Sequence, residues 1–305
     1  MAESPVTAEP VAAVGARTVL PVAALVLGAI AMGISPIFVR VADVGPFASA
    51  FWRVGGALPV LAVWALLEAR HAGRPASSVL RIDGVVVLAG LFFAGDLFFW
   101  HLAIMNTTVA NATFLATMMP VWVVLGSALF LKERVAGAVV LGLLFCLAGA
   151  AALVGTSIGF APDRLDGDLY GIATSFFFGA YVLAVRRLRG KHGAAAITLM
   201  STLVTSLVLL VVALALEDRI LPSSLSGWAA IAALAFVSHA GGQGLLAYAL
   251  GHLPAAFSSL VIFLEALAAA LFGWLFLSEP VTAAQAVGGA LILLGIYVAR
   301  PKRAR

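Results

Sequence analysis

The chain has 305 residues, of which 63% are apolar and only 10% charged, with a formal net charge of +4 at neutral pH. A soluble domain is about half apolar and about a quarter charged, so this composition excludes one water-soluble core of this length, and it excludes intrinsic disorder. The lone cysteine, Cys146, excludes a disulfide framework and a multi-cysteine metal cluster.

A bilayer core of ~30 Å takes about 20 apolar residues per helix. Ten apolar runs satisfy this, over 18–39, 46–67, 84–105, 107–131, 135–157, 168–185, 194–216, 227–250, 254–277 and 281–299. They predict an all-α integral membrane protein of ten transmembrane helices. The first 17 residues, polar and rich in Ala and Pro, read as a disordered tail. The first run is 22 residues long, too long for the apolar part of a signal peptide, and reads as a retained span. Residues 158–167 form a linker, and 301–305 a basic tail.

Basic residues sit between the runs, the pattern of membrane orientation and not of nucleic-acid binding. With the N-terminus inside, 14 of the 18 Lys and Arg residues fall on the inner side. Both termini are therefore expected to be cytoplasmic, in a bacterial-type inner (plasma) membrane, with 158–167 external.

An offset of 146 residues lays LFLKERV at 129–135 on LFLSEPV at 275–281, with five of seven positions identical. The same offset pairs Gly142 with Gly288, Gly149 with Gly295, Gly33 with Gly179 and Arg40 with Arg186. Each half, 18–157 and 168–300, then holds five helices. Five is odd, so the second half enters the membrane inverted. The charges agree: the first turn carries Lys132 and Arg134, its partner Ser278 and Pro280. Two inverted five-helix repeats enclose a central cavity in many secondary transporters.

These residues carry a resemblance. LAIMNTTVANA at 102–112, Met119-Pro120, the 129–135 turn, ALGHLPAA at 249–256, the 275–281 turn and Arg53 resemble the EamA-type members of the drug/metabolite transporter superfamily. The second half has Glu265-Ala266 where the first has Met119-Pro120. The resemblance covers nearly the whole chain. It implies ten spans in two repeats and transport of small solutes, with YddG-like exporters of amino acids among the relatives.

Polar groups at membrane depth call for a partner or a cavity. Asp96 lies about 18 Å into the third span at about 1.5 Å per residue, with Trp100 one turn on. It either lines the cavity and meets an amino group, or glues neighbouring helices. Glu265 lies equally deep in the ninth span, either contacting substrate or carrying a proton, or bonded within the protein, to His239 for instance. His239 and Gln243, one turn apart among Gly241, Gly242 and Gly244, offer donor and acceptor edges or simply satisfy each other's helices. His101 reads as a headgroup contact. Arg53 either snorkels outward, pairs with Asp43 or Asp168, or holds a substrate carboxylate.

Asn111, Leu115, Met118 and Trp122 form one stripe of the fourth span, and Phe257, Val261, Leu264 and Ala268 one of the ninth; Tyr181 projects from the sixth. Together they suit the wall of a cavity for bulky neutral or zwitterionic solutes, whereas any single aromatic among them reads foremost as ordinary helix packing. Pro36 and Pro120 are candidate bending points for gating. The seven-residue glycine spacings in the fifth and tenth spans read as helix packing. No phosphate loop, His-Glu-x-x-His or Gly-x-Ser-x-Gly occurs, and no cofactor, metal or catalytic residue is expected.

The sequence thus reads as a secondary transporter exporting small metabolites, foremost neutral or aromatic amino acids, by alternating access. Its partners are that solute and the lipid bilayer, not nucleic acid, and the sequence sets no oligomeric state, a monomer being compatible with it. The alternatives are a drug or other metabolite transporter of the same fold and, further off, an intramembrane enzyme using Asp96 with His101 or His239.

Overall fold

The computed structural model describes residues 11–80, 83–107, 109–154, 164–277 and 282–300, and these are helical with no strand among them. All ten apolar runs are helical, but several are broken. The first is α1 (Val11–Gly33) and α2 (Ser35–Val41); the second, α3 (Pro46–Gly55) and α4 (Leu58–His71); the third, α5 (Gly84–Asn106). The fourth is α6 (Val109–Ala116) and α7 (Met119–Phe130), and the fifth α8 (Gly137–Val154). In the second half α9 (Leu165–Leu188) and α10 (Ala194–Leu216) are continuous. The eighth run is α11 (Leu225–Ala233), a π-helical stretch Leu234–Gln243 and α12 (Gly244–Ala249). The ninth is α13 (Ala255–Val261) and α14 (Leu264–Leu277), the tenth α15 (Ala283–Ala299).

Seven of these runs are long and apolar enough to cross a membrane, while Phe114–Phe130, Gly137–Ala152 and Ala283–Ala299 are shorter apolar helices. The expected count of ten is therefore met at seven. The difference is one of length, and each of the three shorter runs includes positions outside the described residues: Thr108, 155–157 and 281. Helix α1 starts at Val11, inside the segment expected to be a disordered tail, where alanines, the best helix formers, precede the span. Residues 1–10 and 301–305 lie outside the described residues.

The breaks have chemical causes. Pro36 has no N–H for the Met32 carbonyl four residues back, and the Ser35 hydroxyl donates to that carbonyl instead, at 2.5 Å. Pro120 likewise offers nothing to the carbonyl of Ala116, and α6 ends there. The counterpart break in the second half has no proline. Around Ile262 and Phe263 the ladder tightens to three-residue bonds, Phe263 N–H to Leu260 O at 3.1 Å and Glu265 N–H to Ile262 O at 2.8 Å.

The halves interlock. Helix α5 lies along α9, and the matching π segment and α12 lie along α1. Helices α8 and α15 pack antiparallel: a Cβ on Gly142 would stand 2.5 Å from the Gly295 carbonyl oxygen, and one on Gly149 2.5 Å from that of Gly288. Between them the Cys146 thiol reaches the Ile292 carbonyl at 3.6 Å. Three carboxylates cap helices across the two halves. Glu133 accepts from Ala255 N–H and from Arg186, Glu68 from Ala194 N–H, and Glu217 from the N–H groups of Phe47 and Ala48.

Candidate functional site

The helix breaks converge on one cavity of about 150 Å³ between the halves. The α1–α2 break contributes Met32, Gly33, Ser35 and Pro36; the α6–α7 break Ala116, Thr117, Met119 and Pro120; the α13–α14 break Ile262, Phe263, Glu265, Ala266 and Ala269. Helix α5 adds Phe93, Asp96, Leu97 and Trp100, α9 adds Thr174 and Phe178, α3 adds Arg53 and the π segment adds Gln243. Most of this lining is apolar or aromatic, with a few polar groups set into it, the usual make-up of a small-molecule site.

The three ionisable side chains of the lining are Arg53, Asp96 and Glu265, and the charges of the two acids both act on Arg53. Among the described residues no ion pair or side-chain hydrogen bond joins the three. Arg53 Nε is sealed from solvent without an acceptor. Gln243, 2% exposed, gives its amide nitrogen to the Met32 sulfur at 3.3 Å and leaves its Oε1 without a donor. The site thus holds a donor fork and three acceptor groups whose partners are not supplied by the protein. Trp100, Phe93, Phe178 and Phe263 provide apolar wall beside them.

Of the residues singled out from sequence, Asp96, Trp100, Gln243, Glu265, Pro36 and Pro120 line the cavity together. His239 and Tyr181 stand one layer behind it. His239 Nε2 shares a 2.8 Å hydrogen bond with the Thr202 hydroxyl, and the Phe93 ring covers both residues, with centroids 5.4 Å from His239 and 4.8 Å from Tyr181. Met118 is half-buried and turned from the cavity, which Met119 lines instead. The lining runs through Ala116, Met119 and Pro120, one residue on from the expected stripe through 111, 115, 118 and 122, and it keeps the three- and four-residue helical step across the break. The same shift replaces Leu264 and Ala268 by Glu265 and Ala269. Asn111 is helical, and its side chain lies outside the described residues. His101 is no headgroup contact: it is 4% exposed, wedged between Phe47 and Trp100, with Nδ1 bonded to Leu97 O at 2.6 Å.

From sequence Arg53 reads foremost as a structural cation, snorkelling or paired, whereas it lines the cavity, as do Thr174, Phe93 and Phe178. For Arg53 a signal existed, since two acids at membrane depth leave room for one cation. The aromatic positions carried none that distinguishes cavity wall from packing.

Comparison with known proteins agrees with this architecture. A model of the EamA-like transporter family matches residues 19–155 and 165–300. The chain is 31% identical over 233 residues to the pseudopaline exporter CntI of Pseudomonas aeruginosa, covering 75% of this chain and 80% of that one. It is 36% identical to the aromatic amino acid exporter YddG of Ancylobacter novellus over 103 residues, about a third of each chain (33% and 35%). A solved crystal structure, 22% identical, matches with a TM-score of 0.77 over 93% of this chain and 97% of that one, which shows the fold alone.

Proposed function

The chain belongs to the EamA-like transporter family, and we propose that it is a secondary transporter that exports small metabolites with an amino-acid head group by alternating access. It is a multi-pass membrane protein, which we place in an inner membrane with both termini cytoplasmic, its two repeats inverted and its three shorter apolar helices completing ten crossings. The observation that carries the reading is the cavity in which Arg53, Asp96 and Glu265 face one another without partners of their own. A guanidinium recognises a carboxylate, and carboxylates with the Gln243 oxygen recognise an ammonium. The aromatic wall receives the solute's apolar body, as a neutral or aromatic amino acid would offer. The names of the exporter relatives support outward movement.

Alternating access needs elements that bend at the site. Pro36 and Pro120 stand at helix breaks in the cavity lining and are the proposed gating points. In this reading Asp96, Trp100, Gln243 and Glu265 contact substrate, while His239 and Tyr181 hold the Phe93 wall in place.

The test is counterflow of labelled amino acids into proteoliposomes holding the purified chain. The wild type exchanges them, and Arg53→Gln and Asp96→Asn each lower exchange without loss of folded protein. Exchange unchanged in both variants would remove the cavity from the transport path.

A further inference from the structure

We infer that the cavity prefers a diamino monocarboxylic acid, a solute with one carboxylate and two amino groups, over a neutral amino acid. The inference rests on the reading of the cavity as the transport site and refines its substrate class. Its first basis is charge. Formally the lining sets one cation, Arg53, against two carboxyls, Asp96 and Glu265, and among the described residues it holds no other ionisable side chain. A neutral zwitterion brings one charge of each sign, so a site loaded with it leaves one carboxyl uncompensated unless a proton neutralises it. Charge withdrawn from water without compensation is costly. A second amino group supplies the missing cation.

The second basis is geometry. The three groups interact through space but no ion pair joins them, so none is used up inside the protein. The guanidinium offers donors only and suits the carboxylate; each ammonium offers three N–H groups and needs acceptors. The buried Gln243 oxygen, unpartnered and in the lining, is an acceptor additional to the two carboxyls. Asp96 lies on α5 and Glu265 at the start of α14, so the acceptors come from two elements that meet in one cavity. A flexible chain between two amines lets each ammonium find its own acceptor there.

The experiment uses the full chain in proteoliposomes with labelled L-lysine, L-ornithine and L-leucine as counterflow substrates. One unbalanced charge in a desolvated site is worth about tenfold or more, so lysine and ornithine are expected to exchange with kcat/KM about tenfold above leucine. Glu265→Gln removes one carboxylate while keeping its shape, and the lysine-to-leucine ratio is expected to fall about tenfold. Asp96→Asn is the second variant, and a ratio measured within one variant does not depend on how much of it folds. Equal handling of lysine and leucine by the wild type overturns the inference. So does a ratio unmoved in both variants, or proton movement with leucine, seen by a trapped pH dye, without a lysine preference. In each of these cases transport through the cavity still stands. Absence of exchange for all three amino acids instead removes the transport-site reading, and this inference with it.

Discussion

A guanidinium at membrane depth snorkels to the headgroups, pairs within its own protein or waits for an anion. Arg53 lines the cavity, and Asp43, one of its candidate partners, is already held by Ser223 and Ser224. Arg53→Lys keeps the charge but loses the planar fork that grips a carboxylate in two places. We expect it to raise the KM for an amino-acid substrate about tenfold, and Arg53→Gln by more, read by counterflow at graded concentrations. Asp43 makes a different prediction. The Ser223 hydroxyl, opposed by desolvation and helped by Ser224 and two backbone N–H groups, holds its carboxyl below the ordinary carboxylate range. A carboxyl whose pKa falls on folding stabilises the fold above its unfolded pKa and loses that contribution as pH drops through the folded one. The loop around Ser223 should therefore stay docked at neutral and mildly acid pH and loosen only in strong acid, while Asp43→Ala loosens it at neutral pH; hydrogen exchange of residues 217–224 reports both. Asp96 and Glu265 were legible in the sequence because a carboxyl in hydrocarbon advertises itself. Arg53 was less so, because its long stem lets one position serve lipid surface or cavity.

At the scale of elements, the cavity exists because helices stop there. Both halves break their fourth helix at matching places, Ala116 to Met119 and Val261 to Leu264, although only the first has a proline. The run pattern in the sequence showed the helices but not these interruptions, since a break without proline leaves no mark in hydropathy. The predicted stripes lie one residue out of phase with the lining on both sides of each break, at Ala116 and Met119 in one half and at Ile262 and Glu265 in the other, because apolar residues on every face leave the inward face unmarked. Pro120→Ala restores an N–H to the Ala116 carbonyl and lets α6 and α7 approach one helix. Because an interior proline costs a helix hydrogen bond, the variant should gain a few degrees in detergent Tm, of the order expected for ~1 kcal/mol, and exchange more slowly in counterflow. Equal Tm and equal rate would mean the break is set by its neighbours and not by the proline. The α8–α15 seam works by contact instead. A Cβ at Gly142 falls 2.5 Å from a backbone oxygen and 2.7 Å from the Ala299 Cβ, neither of them a flexible chain end. Gly142→Leu should cost about 1–3 kcal/mol by overpacking, visible as a lowered Tm, whereas Gly137→Leu, with open space around it, should not.

For the whole molecule, the pairing along α8 and α15 carries the symmetry. Gly142 meets Gly295 and Gly149 meets Gly288, while the sequence offset equates Gly142 with Gly288 and Gly149 with Gly295. Each glycine thus meets the counterpart of the other, and Cys146 meets Ile292, its own counterpart 146 residues on. Such reciprocal contact is the mark of a twofold relation, and since the two helices run antiparallel, the axis lies across them. The antiparallel pairing of matching helices supports the proposed inversion of one half against the other in the bilayer. The lining does not share the symmetry: the counterparts of Arg53, Asp96 and Glu265 are Leu199, Gly242 and Met119. One fold is used twice, and one set of charges would hold a solute of the proposed kind in a single orientation. The repeat was legible in LFL-x-E-x-V and the glycines; this asymmetry was legible only once the structure showed which positions face inward. Inversion fixes an orientation that can be measured. Cys146 is buried, so single-cysteine reporters can be built on a Cys146→Ala background. With the basic loops inside, Asp218→Cys should react with an impermeant maleimide added to intact cells, and Lys191→Cys only after the membrane is opened. The two positions flank α10 at its opposite ends, so one helix crossing separates them. Labelling of Lys191→Cys alone in intact cells would turn the molecule over and reverse the proposed termini. Labelling of both would mean that α10 does not cross, and with it the inverted ten-span arrangement would fail.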